Sequence, residues 1–91
     1  MPHTRRDRDK LKARVSRIRG QLEAVSRALD EGRECGEVLQ QIAAIRGAVT
    51  GLLGEVLDGH VREHLAGEGL SERDRQQAAE ELVEVLRRYV R

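Results

Sequence analysis

Apolar residues recur at alternating steps of four and three along two long segments of the chain, and this repeat predicts two helices. The first segment carries Leu11, Val15, Ile18, Leu22, Val25 and Leu29; the second carries Val38, Ile42, Ile45, Val49, Leu52 and Val56, with a flanking row of Leu39, Ala43, Leu53 and Leu57. We expect helices over residues 5–31 and 34–65, with Gly32 ending the first. The second helix has a wide apolar face, and its glycines Gly47 and Gly51 would let another backbone approach closely.

A third, shorter helix is predicted over residues 71–89. Gly67-Glu68-Gly69 reads as a linker, Ser71 as the N-cap residue and Asp74 as its partner in an imperfect capping box. The apolar positions of this helix are Leu82, Val85, Leu86 and Tyr89. No segment alternates with a period of two, so we expect no sheet. The predicted fold class is all-α, with a three-helix protomer forming a single domain over residues 1–91.

Composition limits what such a domain can be. The chain has 91 residues, one aromatic residue (Tyr89) and 36% charged residues of both signs. A short chain with a thin aliphatic core gains stability by oligomerising. We see no membrane-length apolar run and no signal peptide, and the single cysteine, Cys35, cannot form an internal disulfide, so a cytoplasmic location is predicted. No Ser/His/Asp pattern or glycine-rich phosphate loop is present, so we do not expect an enzyme.

The charge is distributed unevenly. Residues 1–19 hold eight basic and two acidic residues, a net +6; because the whole chain is +1, the remainder is −5. A basic arm on an acidic body favours a polyanion partner, although a solvated basic helix face is the alternative. Steps of four and three place Lys10, Arg14 and Arg17 on a face away from the first apolar row. Arg46 is a further candidate, with a salt bridge to Glu23 as its alternative role. The chain has few aromatic residues that could stack on the bases of single strands, and it has no helix-turn-helix motif. These two features favour binding of double-stranded DNA through its phosphates.

Cys35, His60 and His64 are residue types that bind transition metals. The two histidines, four residues apart, share one helix face. At about 1.5 Å per helical residue, Cys35 lies roughly 37 Å from His60 within one chain. Two copies of this helix, paired antiparallel about a two-fold axis near residue 48, would bring Cys35 of one beside the histidines of the other. The alternatives are a coincidental histidine pair and a cysteine that serves as a small apolar residue. His3 is an additional nitrogen candidate, and one thiolate with several nitrogens suits Ni(II), Co(II) or Zn(II) better than Cu(I).

Two stretches resemble a known family. RIRGQLEAV (17–25) and ECGEVLQQIAAIRGAVTGLLGEVLDGHVREHL (34–65) are similar to the small all-helical CsoR/RcnR/FrmR repressors, which sense copper, nickel or cobalt, or formaldehyde. The resemblance implies an antiparallel helix-paired dimer that assembles into a disc-like tetramer, a dimer of dimers. It also implies binding of double-stranded operator DNA in the effector-free state through a basic face that Lys10, Arg14 and Arg17 match. Effector binding would release the DNA and derepress genes for metal efflux or detoxification.

The resemblance is closest to the nickel- and cobalt-sensing RcnR branch, which implies His3, Cys35, His60 and His64 as ligands of Ni(II) or Co(II), together with the N-terminal amine. Copper sensors generally have cysteine rather than histidine at the last of these positions, so Cu(I), like Zn(II), is a secondary possibility. The formaldehyde sensors share Pro2, Cys35 and His60 and usually lack the second histidine. In them one carbon from the aldehyde joins the proline nitrogen to the thiolate. A metal-buffering helical module without a DNA role and a purely structural oligomer remain as further alternatives.

Overall fold

The computed structural model describes residues 7–89, and its regular structure over this range is entirely helical. Helix α1 is Arg8–Asp30, α2 is Cys35–His60, a π-helical turn follows at Val61–Leu65, and α3 is Glu72–Tyr89. The predicted all-α class with three helices is therefore confirmed, and the predicted second helix ends in a π turn. The described residues form two compact units, 7–54 and 55–89, whose boundary falls within α2.

A glycine in the left-handed region ends α1. Gly32 has φ +67°, which costs glycine little because it lacks a Cβ atom. The Arg33 N–H donates to the Ala28 carbonyl at 2.9 Å, and the Gly32 N–H donates to the Leu29 carbonyl at 3.2 Å. These two bonds form a Schellman motif, which satisfies carbonyls that the end of a helix leaves without partners. The predicted end of the first helix at Gly32 is confirmed.

In the unit 7–54, α1 and α2 pack as an antiparallel pair. Toward the start of α1, the Arg14 guanidinium lies so close to Gly51 that a Cβ atom there would be 3.2 Å from Nη1. Toward its end, Ala28 lines the same groove as Gln41 of α2. Because the early part of α1 meets the late part of α2, the helices run in opposite directions.

The apolar rows predicted from the heptad repeat are divided between this packing and the surface. On α1 the less exposed side chains are those at Leu11, Arg14, Ile18, Gln21, Ala24, Val25 and Ala28. The alternate members of the predicted row are exposed, by 42% at Val15, 54% at Leu22 and 64% at Leu29. The row is wider than one helix can cover, so α2 covers one edge of it and leaves the other uncovered within this chain.

The hydrophobic core within residues 7–89 is thin. Its buried apolar side chains are Ala28, Ile45 and Ala78. Large apolar side chains of α2 are also exposed, among them Leu39, Ile42 and Val49. Burial of a large apolar side chain contributes about 1.5–3 kcal/mol, and this chain leaves much of that stabilisation unused.

Helix α3 begins as its sequence predicts. The Asp74 N–H donates to Ser71 Oγ at 3.0 Å, so Ser71 is the N-cap residue. The buried residue of this helix is Ala78, in its first half. No helix within residues 7–89 combines the length and the apolar character needed to cross a bilayer.

Candidate functional site

His60 is the last residue of α2, and α3 fixes its ring. The side chain is 19% exposed, and Nε2 lies 3.0 Å from the Ala78 carbonyl oxygen. A carbonyl oxygen only accepts hydrogen bonds, so Nε2 carries the hydrogen and donates it. In the neutral ring the lone pair is then on Nδ1, and a nitrogen lone pair is what a metal ion accepts. The Glu81 carboxylate, 3.9 Å from Nε2, adds a negative charge beside the donating nitrogen.

His64 lies in the π-helical turn that follows. The turn closes with a bond from the Ala66 N–H to the Val61 carbonyl at 2.8 Å, which spans five residues rather than four. The His60 and His64 ring centroids are 5.2 Å apart, and the ring planes are inclined by 52°. Single π turns are rare and often occur at functional sites. The short distance between the two ring centroids shows that the predicted pairing of these imidazoles is present in the structure.

Two contacts close the C-terminal side of this turn. A Cβ atom on Gly67 would lie 2.5 Å from the Glu63 carbonyl oxygen, so the chain here accommodates only glycine without rearrangement. The Arg75 guanidinium donates from Nη1 to the Leu65 carbonyl oxygen. Helix α3 thus holds both the His60 ring and the end of the turn that carries His64.

We expect Gly67→Ala to destabilise the protein by about 1–3 kcal/mol, because the new methyl group would force the backbone apart at the Glu63 carbonyl. Gly20→Ala is the matched control, since a Cβ atom at that helical position meets nothing within 4 Å; the control should be neutral or stabilising, by up to about 1 kcal/mol. Thermal unfolding at a fixed protein concentration measures both effects. Equal melting temperatures for the two variants would show that the turn relaxes freely.

The two histidines open onto a groove with acidic walls. The groove has a volume of about 620 Å³, and its lining includes His60, His64, Asp74, Gln77 and Glu81. Two carboxylates and two imidazoles supply the polar part of the lining with nitrogen and oxygen atoms and negative charge, and Leu70 and Ala78 supply an apolar part. Such a lining favours a cation over a neutral molecule or an anion.

Cys35 is the first residue of α2, and its thiol is exposed. The loop before it is held by Arg33, which donates to Glu31 at 3.2 Å and to Glu37 at 3.1 Å. The hydrogen bond from Arg33 to Glu31, followed by the bond to Glu37, raises the pKa of the guanidinium above its usual value. These bridges are exposed to solvent, so they contribute little stability.

The predicted ligands fall into three groups. His60 and His64 lie together in the unit 55–89, whereas Cys35 belongs to the unit 7–54. Pro2 and His3 lie outside the described residues. Within residues 7–89 of one chain, no three His, Cys, Asp or Glu side chains form a group that could hold a metal ion. The meeting of Cys35 with the histidines across two chains stays a prediction.

The residues of α3 that contribute to this site were not predicted from the sequence. The acidic middle of the helix is visible there, but nothing marks Glu81 as the carboxylate that faces His60. The hydrogen-bond acceptor at Ala78 is a backbone carbonyl, which no side-chain pattern reveals. Arg75 is one of several arginines, and only the fold distinguishes it.

The predicted DNA-contacting residues differ in how far their side chains are exposed to solvent. Lys10, Arg17 and Arg46 are exposed. Arg14 is half-buried, with its guanidinium against Gly51 of α2. The prediction that Arg14 lies on a face away from the apolar row is therefore wrong. Arg14 follows Leu11 by three residues in the sequence. This step of three places the Arg14 side chain on the side of α1 that faces α2.

Comparison with known proteins identifies the family. A sequence model described as "Metal-sensitive transcriptional repressor" matches residues 7–88. The chain belongs to this family. Metal-sensitive transcriptional repressors bind operator DNA and are not enzymes. Both predictions made from the sequence, the CsoR/RcnR/FrmR family and the absence of an enzymatic role, are confirmed.

Individual relatives cover the whole chain. The transcriptional repressor RcnR of Escherichia coli (strain K12) is 50% identical over 91 residues, which is 100% of both chains. An uncharacterised protein encoded in the bioA 5′ region of Serratia marcescens is 58% identical over the same length. Among solved structures, a glutamate-to-histidine variant of the formaldehyde-responsive regulator FrmR from Salmonella enterica serovar Typhimurium matches with a TM-score of 0.88 and 42% identity, covering 97% of this chain and 99% of the other.

Proposed function

We propose that this metal-sensitive repressor responds to Ni(II) or Co(II) and releases operator DNA when it binds the ion. The observation that carries the proposal is the pair of imidazoles 5.2 Å apart, beside a groove with carboxylates in its lining. Imidazole nitrogens suit Ni(II), Co(II) and Zn(II), and the acidic lining adds electrostatic attraction for a divalent cation. The 50% identity to RcnR over the full chain supports the same branch of the family.

The remaining ligands come from a second chain and from the N-terminal residues. In this proposal the Cys35 thiolate of one chain joins His60 and His64 of the other, with His3 and the N-terminal amine completing the set. A bound divalent ion would supply positive charge that attracts the thiolate and the imidazoles of both chains. The chain's own part is to present His60 Nδ1, which follows from the bond that Nε2 donates to the Ala78 carbonyl.

The exposed apolar rows support a homodimer and a larger assembly. Leu22 and Leu29 on α1 and Ile42 and Val49 on α2 are each about half exposed or more. Monomeric proteins rarely leave so many large apolar side chains of a small domain in water. We propose that copies of the chain cover them, as a dimer of dimers.

DNA binding is assigned to the exposed cations of α1. Lys10 and Arg17 lie on the solvent side of the helix, and the operator phosphates are their proposed partners in the cytoplasm. The N-terminal residues connect directly to this helix, so drawing them toward a bound ion would change the position of the basic face. A coupling of about 1–3 kcal/mol between the two sites is enough for regulation.

We expect Arg17→Ala to weaken operator binding and to lower the slope of its salt dependence by about one unit for each chain that contacts the operator, because each such chain loses one phosphate contact. Arg73→Ala is the matched control, since Arg73 is equally an exposed arginine but lies on α3. Binding isotherms at several salt concentrations measure both slopes. Identical slopes for the two variants would exclude Arg17 from the interface.

A formaldehyde-responsive repressor is the second candidate. Pro2 in the sequence and the similarity to the FrmR structure favour it. Removal of Met1 would make the Pro2 nitrogen a secondary amine. This amine and the Cys35 thiol would then condense with one formaldehyde molecule, releasing one water and leaving a methylene bridge between nitrogen and sulfur. His60 would lie beside this bridge. Cu(I) and Zn(II) remain secondary effector candidates.

A DNA-release titration decides between these effectors. Operator-bound protein is titrated separately with Ni(II), Co(II), Zn(II), Cu(I) and formaldehyde, and release is followed by fluorescence anisotropy. The proposal expects Ni(II) and Co(II) to release DNA at the lowest concentrations, with thiolate charge-transfer absorbance appearing in step. Release by formaldehyde alone would establish the second candidate instead.

A further inference from the structure

We propose that Arg75 is a positioning residue for the effector site, acting through the Leu65 carbonyl to hold His64 in place. This inference rests on the proposed function, because it assigns Arg75 a part in effector binding. Arg75 is not itself a ligand, since a guanidinium has hydrogen-bond donors only and stays charged.

The contact joins α3 to the end of the π-helical turn. Arg75 is half-buried, and its Nη1 donates to the carbonyl of Leu65, the last residue of the turn. The final carbonyls of a helix have no partner within the helix. A cation placed there satisfies one of them and interacts favourably with the negative end of the helix dipole.

The turn needs such a contact because its hydrogen bonding is unusual. The bond from the Ala66 N–H to the Val61 carbonyl spans five residues, whereas α-helical bonding would span four. Reversion of the turn to α-helical bonding would rotate His64 about the helix axis and change its distance from the His60 ring. Gly67, packed against the Glu63 carbonyl, holds the backbone just beyond the turn, and Arg75 holds its final carbonyl.

The same face of α3 also holds His60. Residues 75 and 78 are three apart and therefore lie on one side of the helix. Arg75 binds the turn that carries His64, and the Ala78 carbonyl accepts the hydrogen of His60 Nε2. One helix thus fixes both imidazoles relative to each other.

The test compares Arg75→Ala, Arg75→Lys and the control Arg73→Ala in the full-length protein. Arg73 is an exposed residue of the same helix, so its replacement changes the charge equally without touching the turn. Co(II) titration followed by visible absorbance is expected to show about a tenfold loss of affinity and an altered Co(II) spectrum for Arg75→Ala. Arg75→Lys, which keeps a charged donor, should recover most of the affinity, and Arg73→Ala should match the wild type. Operator binding without effector should change less than about twofold in all three.

A double-mutant cycle separates positioning from general stability. If Arg75 acts through His64, Arg75→Ala should cost no further Co(II) affinity in a chain that already carries His64→Ala. An equal loss in both backgrounds would overturn the proposal, as would unchanged Co(II) affinity in the single variant. Should Arg75→Ala fail to fold, Arg75→Gln, which keeps a neutral donor, takes its place in the cycle.

Amide hydrogen exchange tests whether Arg75 holds the turn, independently of metal binding. If the wild-type protein binds no Co(II), the proposed function has failed, and exchange at the Ala66 amide still reports on the turn. Arg75→Ala should speed this exchange about tenfold or more, and neither Arg75→Lys nor Arg73→Ala should do so. Equal exchange in all variants would overturn the claim that Arg75 holds the turn.

Discussion

His64→Ala is expected to lower the affinity for Ni(II) and Co(II) by about a hundredfold or more while leaving operator binding by the effector-free protein unchanged. Loss of an outer hydrogen-bond partner of a ligand costs about 10- to 100-fold in metal affinity, and removal of a proposed direct ligand should cost at least the upper value. Operator binding should persist because the exposed cations Lys10 and Arg17 lie on α1, in the other compact unit.

Metal titrations and operator anisotropy on the same preparations measure the two effects. Gln76→Ala is the control, because Gln76 is an exposed polar residue of α3 that does not line the histidine groove. If His64→Ala retains its Ni(II) response, the histidine is not a ligand. If formaldehyde releases DNA from wild type and variant alike and Ni(II) releases it from neither, the aldehyde is the effector.

Ile42→Asp should dissociate the assembly into single chains. The Ile42 side chain is 50% exposed on α2 in the isolated chain, and we propose that a second copy covers it. Losing this apolar side chain from both sides of a two-fold interface would cost about 3 kcal/mol, or roughly a hundredfold in dissociation constant. The buried, unpaired carboxylates would add a further penalty.

Native mass spectrometry and sedimentation velocity measure the outcome across a range of concentrations. Gln40→Asp, an exposed neighbour on the same helix, adds the same charge outside the apolar row and should leave the assembly intact. Metal binding and operator binding should both weaken with Ile42→Asp, since each is proposed to need more than one chain. A variant of unchanged mass would show that the exposed row of α2 is not an interface.

The helices and their ends could be predicted from the sequence because the interactions that determine them are local. Gly32 ends α1 through its own backbone conformation and bonds to the preceding turn. Ser71 caps α3 through a bond to a residue three positions away. The histidine pair was equally accessible, since the spacing of His60 and His64 alone places them on one side of a helix.

The features that escaped prediction depend on contacts between elements. The inward position of Arg14 is set by the line along which α1 meets α2, and the heptad repeat permits packing on either edge of its apolar row. The contacts between α3 and the site are made to or from the backbone carbonyls of Leu65 and Ala78. Every residue type has such a carbonyl, so no pattern of side chains reveals these contacts. The π turn likewise has no signature in the residues at 61–65.

The central proposal is that two chains share one metal ion, and mixed assemblies test this directly. Chains carrying Cys35→Ala are assembled with chains carrying His64→Ala, each variant also being measured alone, and Co(II) binding is followed by thiolate charge-transfer absorbance. In a mixed dimer with shared sites, one site loses both altered residues and the other keeps a wild-type Cys35 and a wild-type His64. We therefore predict that the mixture recovers one intact site for each mixed dimer, although neither variant binds tightly alone. A mixture that binds no better than its separate components would show that the two chains do not share a site.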